Sequence, residues 1–78
     1  MKTTAYFDRL KSRPDRAMIE QRWIEQVIAH PISEVTQSDG RIRIWGLIPE
    51  MNHKYLRVVL LADRETVHNA FFDRGFRP

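Results

Sequence analysis

The sequence predicts an α+β domain in which one main N-terminal helix packs on a four-stranded antiparallel meander sheet. Apolar residues recur at helical spacing between Ile19 and Ile28, and the period changes to two after Pro31. Beyond that point, turn signals divide the chain into four strand-like segments. The composition agrees with one folded unit spanning residues 1–78. A chain of 78 residues buries about 60–65% of the surface its unfolded form exposes, so every large apolar group counts. A hydrophobic fraction of 42% with two Trp separates it from disordered chains. The absence of cysteine excludes both a disulfide framework and a thiolate metal site.

The helix is expected at 13–29. Ser12-Arg13-Pro14-Asp15 has the form of a capping box, with Pro in the first turn where its missing N–H costs nothing. Ile19, Trp23, Ile24, Val27 and Ile28 then form one wide apolar face, with Arg22, Glu25 and Gln26 on the other side. His30-Pro31 ends the helix, because the residue before Pro is pushed out of the α region. The preceding stretch, Thr3 to Leu10, reads equally as an edge strand or a short helix.

Strands are expected at 32–37, 41–48, 54–62 and 66–72. Asp39-Gly40 marks the first hairpin and predicts a type I′ turn. Arg41 to Ile48 alternates charged and apolar side chains, whereas Tyr55 to Leu61 is the fuller apolar run of a central strand. Alternation places Ile42, Ile44, Leu56, Val58, Leu60, Val67 and Phe71 against Ile19, Trp23 and Val27 on the helix. The opposite face then carries Arg41, Arg43, Trp45, Tyr55, Arg57, His68 and Phe72. Two readings of that face stand side by side. In one it is an exposed basic and aromatic surface. In the other Trp45, Tyr55 and Phe72 pack under the N-terminal segment beneath the Arg stems.

The charge favours anionic partners. Thirteen basic residues stand against ten acidic ones, and ten of the thirteen are Arg, the side chain suited to bidentate phosphate contacts. Residues 1–22 hold six bases and three acids, 23–40 three acids and no Lys or Arg, and 41–78 seven bases and four acids. Arg interleaved with aromatic rings on a sheet suits single-stranded nucleic acid, whose bases stack on rings while guanidinium groups hold phosphates. The candidate nucleic-acid contacts are Arg41, Arg43, Trp45, Lys54, Tyr55 and Arg74.

Of catalytic chemistries, acid–base and electrostatic ones remain. His30, His53 and His68 lack metal-ligand spacing, and there is no Gly-rich phosphate loop or nucleophile elbow, so neither metal nor cofactor is expected. Metal-independent RNA cleavage needs a base for the 2′-hydroxyl, an acid for the leaving oxygen and cations for the phosphorane. His68 and His53 are the candidate proton carriers and Arg57 the candidate charge stabiliser. Asp73-Arg74 reads as an ion pair closing the last strand.

The succession of Ile28-Ala29-His30-Pro31, the Asp39-Gly40-Arg41 hairpin, Leu56-Arg57-Val58-Val59 and Thr66-Val67-His68-Asn69-Ala70-Phe71 resembles small bacterial domains related to the BrnT and RelE/ParE toxin superfamily. The resemblance covers about residues 15–72. It implies a RelE-like fold and a toxin-like endoribonuclease acting on RNA or the ribosome, neutralised by a cognate antitoxin. The alternative is a non-catalytic protein-interaction module that self-associates into a homo-oligomer through a sheet edge or the Trp45 face. Apolar runs such as Val58 to Ala62 fall far short of the ~20 residues that span a bilayer. The N-terminal stretch also lacks the apolar core of a secretory signal. A cytoplasmic protein without membrane contact is the expectation.

Overall fold

The computed structural model describes residues 1–78. Three helices, α1 (Ala5–Leu10), α2 (Pro14–Ala17) and α3 (Gln21–Ala29), precede β1 (Ser33–Thr36), β2 (Ile42–Ile48), β3 (Lys54–Leu60) and β4 (Val67–Phe72). The strands form one sheet in the order β1-β2-β3-β4, with every neighbouring pair antiparallel. The α+β class and the four-stranded meander are therefore as the turn signals predict. No helix is long and apolar enough to cross a membrane.

The single helix expected at 13–29 is instead two. Pro14–Ala17 buries no side chain, whereas α3 buries Trp23, Ile24 and Val27. The apolar stripe begins only at Ile19, so nothing holds the first turn in line with α3. The chain breaks between them and α3 restarts from Glu20. The break lets Arg16 turn to the sheet, where its Nη1 donates to the Ala70 carbonyl at 3.1 Å and to the Asn69 side-chain oxygen. The expected capping box is not used: Arg13 is the N-cap of α2 without a side-chain bond, and Ser12 Oγ donates back to the Arg9 carbonyl. His30 does end α3.

Both readings of the N-terminal stretch find a place. Thr3 makes a parallel bridge to Val67, and Thr4 then caps α1, its Oγ1 accepting from the Phe7 N–H at 3.1 Å. Residues 2–4 thus pair with Val67 at the start of β4, while β1 is the other edge of the sheet.

The core lies between α3 and the sheet, where Trp23, Ile24 and Val27 meet Ile42, Ile44, Ile48, Leu56, Val58, Leu60, Val67 and Ala70, with Phe7 of α1 closing one side. Burying each Ile, Leu, Val or Phe side chain among them contributes roughly 1.5–3 kcal/mol. Gly46 has the same strand parity as Ile44 and Ile48. A Cβ built on it would lie 2.7 Å from Val27 Cγ2, so only glycine permits the close approach of α3 to β2.

Two turns differ from expectation. At the first hairpin only Gly40 has positive φ, at +90°, and its N–H donates to the Gln37 carbonyl. This is the geometry of a type I turn followed by a left-handed residue, rather than type I′, in which Asp39 would also need positive φ. Between β3 and β4 the Asp63 carboxylate accepts from the Thr66 hydroxyl and from the N–H groups of Thr66 and Glu65. These bonds, the Thr66 hydroxyl first, hold the Asp63 carboxyl at about 2, below its ordinary 3.8. Because the pKa is lowered on folding, the contribution is complete above pH 3.8 and is lost as pH falls through about 2. Asp63→Asn is expected to flatten the acid loss of stability in that window, as read from urea midpoints on either side of it.

The main departure lies in β4. The pairing of β3 with β4 shifts between Val59 and Leu60: Val59 opposes Asn69, but Leu60 opposes Val67, leaving His68 as an extra residue. This bulge reverses the parity of everything after it. Val67, Ala70 and Phe72 pack on the helix side, with Phe72 edge-on to Trp23. Phe71, expected in the core, faces the opposite side between the Arg16 and Arg57 guanidinium groups.

Candidate nucleic-acid interface

The helix-free face of the sheet is ordered by register. Ser33, Trp45, Arg57 and Phe71 lie opposite one another across all four strands, and Val35, Arg43, Val59 and Asn69 form the next row. Within the first row the Arg57 guanidinium lies 5.7 Å from the Trp45 ring and 5.1 Å from Phe71. It stands between two π faces while the Asp73 carboxylate approaches its Nη1 at 3.7 Å. The Arg57 Nε is buried without a hydrogen-bond partner.

Beside that row lies a groove of about 400 Å³ lined by Tyr6, Gln37, Arg41, Arg57, Val59, His68, Asn69 and Phe71. The β4 bulge aims His68 into it. Tyr6 of α1 stacks on the imidazole with ring centres 4.9 Å apart, and Thr4 Oγ1 lies 3.1 Å from His68 Nδ1. Thr4 Oγ1 already accepts from Phe7 but retains a hydrogen and a lone pair, so it serves either neutral tautomer of His68. With the proton on Nδ1, Nε2 is an acceptor. Burial, and secondarily the charge of Arg41, push the imidazole below its ordinary value, with Asp39 opposing weakly. The neutral imidazole is therefore the predominant form at pH 7.

The sequence-predicted residues are thus partly assembled. His68, Arg57 and Arg41 share the groove, and Arg43 lies next to it beside the Gln37 side-chain amide. His53 does not join them. It follows Asn52 in a left-handed pair, φ +55° and +57°, that turns the chain into β3, at the opposite end of that strand from His68. At about 3.3 Å per residue, the length of β3 separates the two imidazoles by far more than one proton transfer. His53→Gly is expected to keep or slightly raise the thermal midpoint, by relieving left-handed strain, and to leave ligand binding unchanged. Lys54 and Arg74 flank a separate cavity of about 250 Å³ with Tyr55, Asp73, Phe76 and Arg77.

Trp45 is not exposed: it retains only 7% of its surface. Its cover is the segment after β4 rather than the N-terminal one. Phe76 stacks on the indole, 4.9 Å between ring centres and 14° between planes, and meets Tyr55 edge-on at 5.1 Å. Asp73 does not pair with Arg74. Its Oδ2 accepts from Trp45 Nε1 at 2.9 Å and its Oδ1 from the Gly75 N–H. The indole bond, aided by Gly75 and Arg57, holds the Asp73 carboxyl below its ordinary range.

Sequence reasoning missed Tyr6, Gln37, Asn69 and Asp73 as parts of this face and placed Phe71 on the wrong side of the sheet. Tyr6 stands two residues after the capping Thr4, and Gln37 continues the outward alternation of Ser33 and Val35 toward Arg41. Asn69 and Asp73 depend on the bulge and on the course of the chain after β4. No three His, Asp or Glu side chains come together as a metal site would require. Comparisons with protein families, with curated proteins and with solved structures returned no match.

Proposed function

We propose that the protein binds single-stranded RNA across the helix-free face of its sheet. The observation that carries this reading is the convergence of Arg41, Arg57, Tyr6, His68 and Phe71 on one groove, with Arg43 alongside. Guanidinium groups supply phosphate contacts and rings supply stacking surfaces, each base–aromatic stack contributing about 1–3 kcal/mol. Glu20 caps α3, Glu25 lies on it, Glu34 has the helix-facing parity of β1 and Glu50 sits in the turn after β2 against Arg22. The acids a phosphate meets on this face are therefore Asp39, 3.7 Å from Arg41, and Asp73, 3.7 Å from Arg57. In the toxin-like form of this reading the RNA is engaged at the ribosome and a cognate antitoxin occupies the same face.

The test is titration of a labelled single-stranded oligonucleotide at two salt concentrations. With three Arg releasing counterions from a single strand, raising salt fourfold is expected to weaken binding on the order of 20-fold. Absent or salt-independent binding discards the proposal.

A second reading, metal-independent cleavage, is favoured by His68 alone. A neutral imidazole beside two guanidinium groups is suited to deprotonate a 2′-hydroxyl while Arg41 and Arg57 stabilise the phosphorane. His53 is too distant to be the acid, which leaves the Tyr6 hydroxyl as the proton-bearing partner in the groove. The two readings respond oppositely to pH. As pH falls through the lowered pKa of His68 the imidazole gains charge, so RNA affinity rises while cleavage by a neutral base declines. His68→Ala is expected to abolish both trends. Cleavage that persists in this variant removes His68 from the mechanism.

A further inference from the structure

We infer that the Trp45 indole is a base-stacking subsite, occupied in the free protein by Phe76, which a nucleobase of the bound strand displaces. The inference rests on the RNA-binding reading and extends it to a second position beside the groove.

Its first support is contiguity. Trp45 lies directly opposite Arg57 in the sheet, so a base on the indole brings its own phosphate to the guanidinium that closes the groove. The second support is the manner in which the indole is covered. Phe76 lies nearly parallel on it, in the arrangement a base would take, and Tyr55 closes the edge of the stack. Asp73 completes the likeness: its carboxylate sits against Arg57, where a phosphate oxygen would, and accepts the indole N–H. An aromatic ring and an anion from the protein's own chain thus occupy the places of a base and a phosphate.

The third support is how loosely the ring is anchored. Asp73 is fixed to the sheet, its N–H donating to the Tyr55 carbonyl at 2.9 Å. Beyond it, the backbone of the segment bonds only locally: the Gly75 N–H to the Asp73 side chain, and the Phe76 N–H to the Asp73 carbonyl at a long 3.4 Å. Arg74, Gly75, Arg77 and Pro78 are exposed. Phe76 can swing away about the Asp73 anchor without breaking a strand pairing. Lys54, Arg74 and Arg77 flank its cavity, so a strand entering there meets positive charge.

The experiment compares wild type and Phe76→Ala in titrations with oligoadenylate and oligouridylate, following the Trp45 indole N–H and its contacts to the Phe76 ring by NMR. Removing the competing ring is expected to tighten binding by about two- to tenfold, more for the better-stacking adenylate. In wild type, RNA is expected to abolish the Trp45–Phe76 contacts and shift the indole resonance. The wild-type measurement stands whether or not the variant folds well. Binding by wild type with those contacts intact, or equal or weaker binding by a folded Phe76→Ala, overturns the inference and leaves the groove reading in place. No binding by either protein overturns both.

Discussion

Gly46→Ala is expected to destabilise the domain by about 1–3 kcal/mol, the cost of forcing a methyl group into a packed core. The methyl would sit 2.7 Å from Val27 Cγ2 and 3.3 Å from two further Val27 carbons. Relief by rotation is blocked: Val27 is 1% exposed, and a β-branched residue on a helix has one strongly preferred rotamer. The remaining escape is for α3 to lift from β2, which would loosen Trp23 and Ile24 as well. A domain of 78 residues has about 4–12 kcal/mol of stability in total, so this one atom removes a large share. Each kcal/mol lowers the thermal midpoint by about 4–8 °C in a chain of this size. Val27→Ala alone should also destabilise, by opening a cavity. The double variant should be more stable than the sum of the two losses, because each change relieves the other. Additive losses in urea denaturation would show that the contact does not limit the approach of the helix.

Arg57→Gln is expected to lower RNA affinity by about tenfold or more, since a charge-assisted phosphate contact and a cation between two rings are lost together. Arg57→Lys should recover little of this, because an ammonium group lacks the planar surface that fits between Trp45 and Phe71. The neighbouring Asp73→Asn should act in the opposite direction. Its amide oxygen still accepts from the Trp45 indole, but the negative charge beside Arg57 disappears, so affinity should rise. The pair of signs is the diagnostic result. If Arg57→Gln and Asp73→Asn both weaken binding, the face works through its shape and not through the charge of Arg57. Circular dichroism on each variant separates loss of binding from loss of fold.

These residues also show where sequence reasoning succeeds and where it stops. Strand alternation through Ile42, Ile44 and Leu56 is visible because each has charged or aromatic neighbours on both sides, while in the apolar run from Val58 to Leu61 the register follows from continuing that period. The charged row is legible for the same reason, and Arg41, Arg43, Trp45 and Arg57 follow from it. In β4 the same rule fails after one residue. The bulge at His68 leaves no compositional mark, and a single inserted position exchanges Phe71 and Phe72. The helix fails differently: local signals at Ser12 to Asp15 are strong, but a turn without apolar side chains has nothing to align it with the next one. The cover over Trp45 was beyond reach because it depends on a long-range stack between residues 45 and 76.

The clamp between the N-terminal residues and β4 bears on how the molecule comes together. The three strand pairings join neighbours in sequence, so their loops close early and at small entropic cost. The Thr4–His68 contact spans 64 residues, and Thr3 and Thr4 reach Val67 across a similar separation. One wall of the groove, Tyr6 on His68, is therefore the last part to assemble and the first to release. Amides of Thr4 and Val67 should exchange with solvent through an opening that leaves β2 and β3 protected. An RNA strand bridging Tyr6 and Arg57 would slow that exchange, recording its own arrival at a distance from the hairpins that fold first.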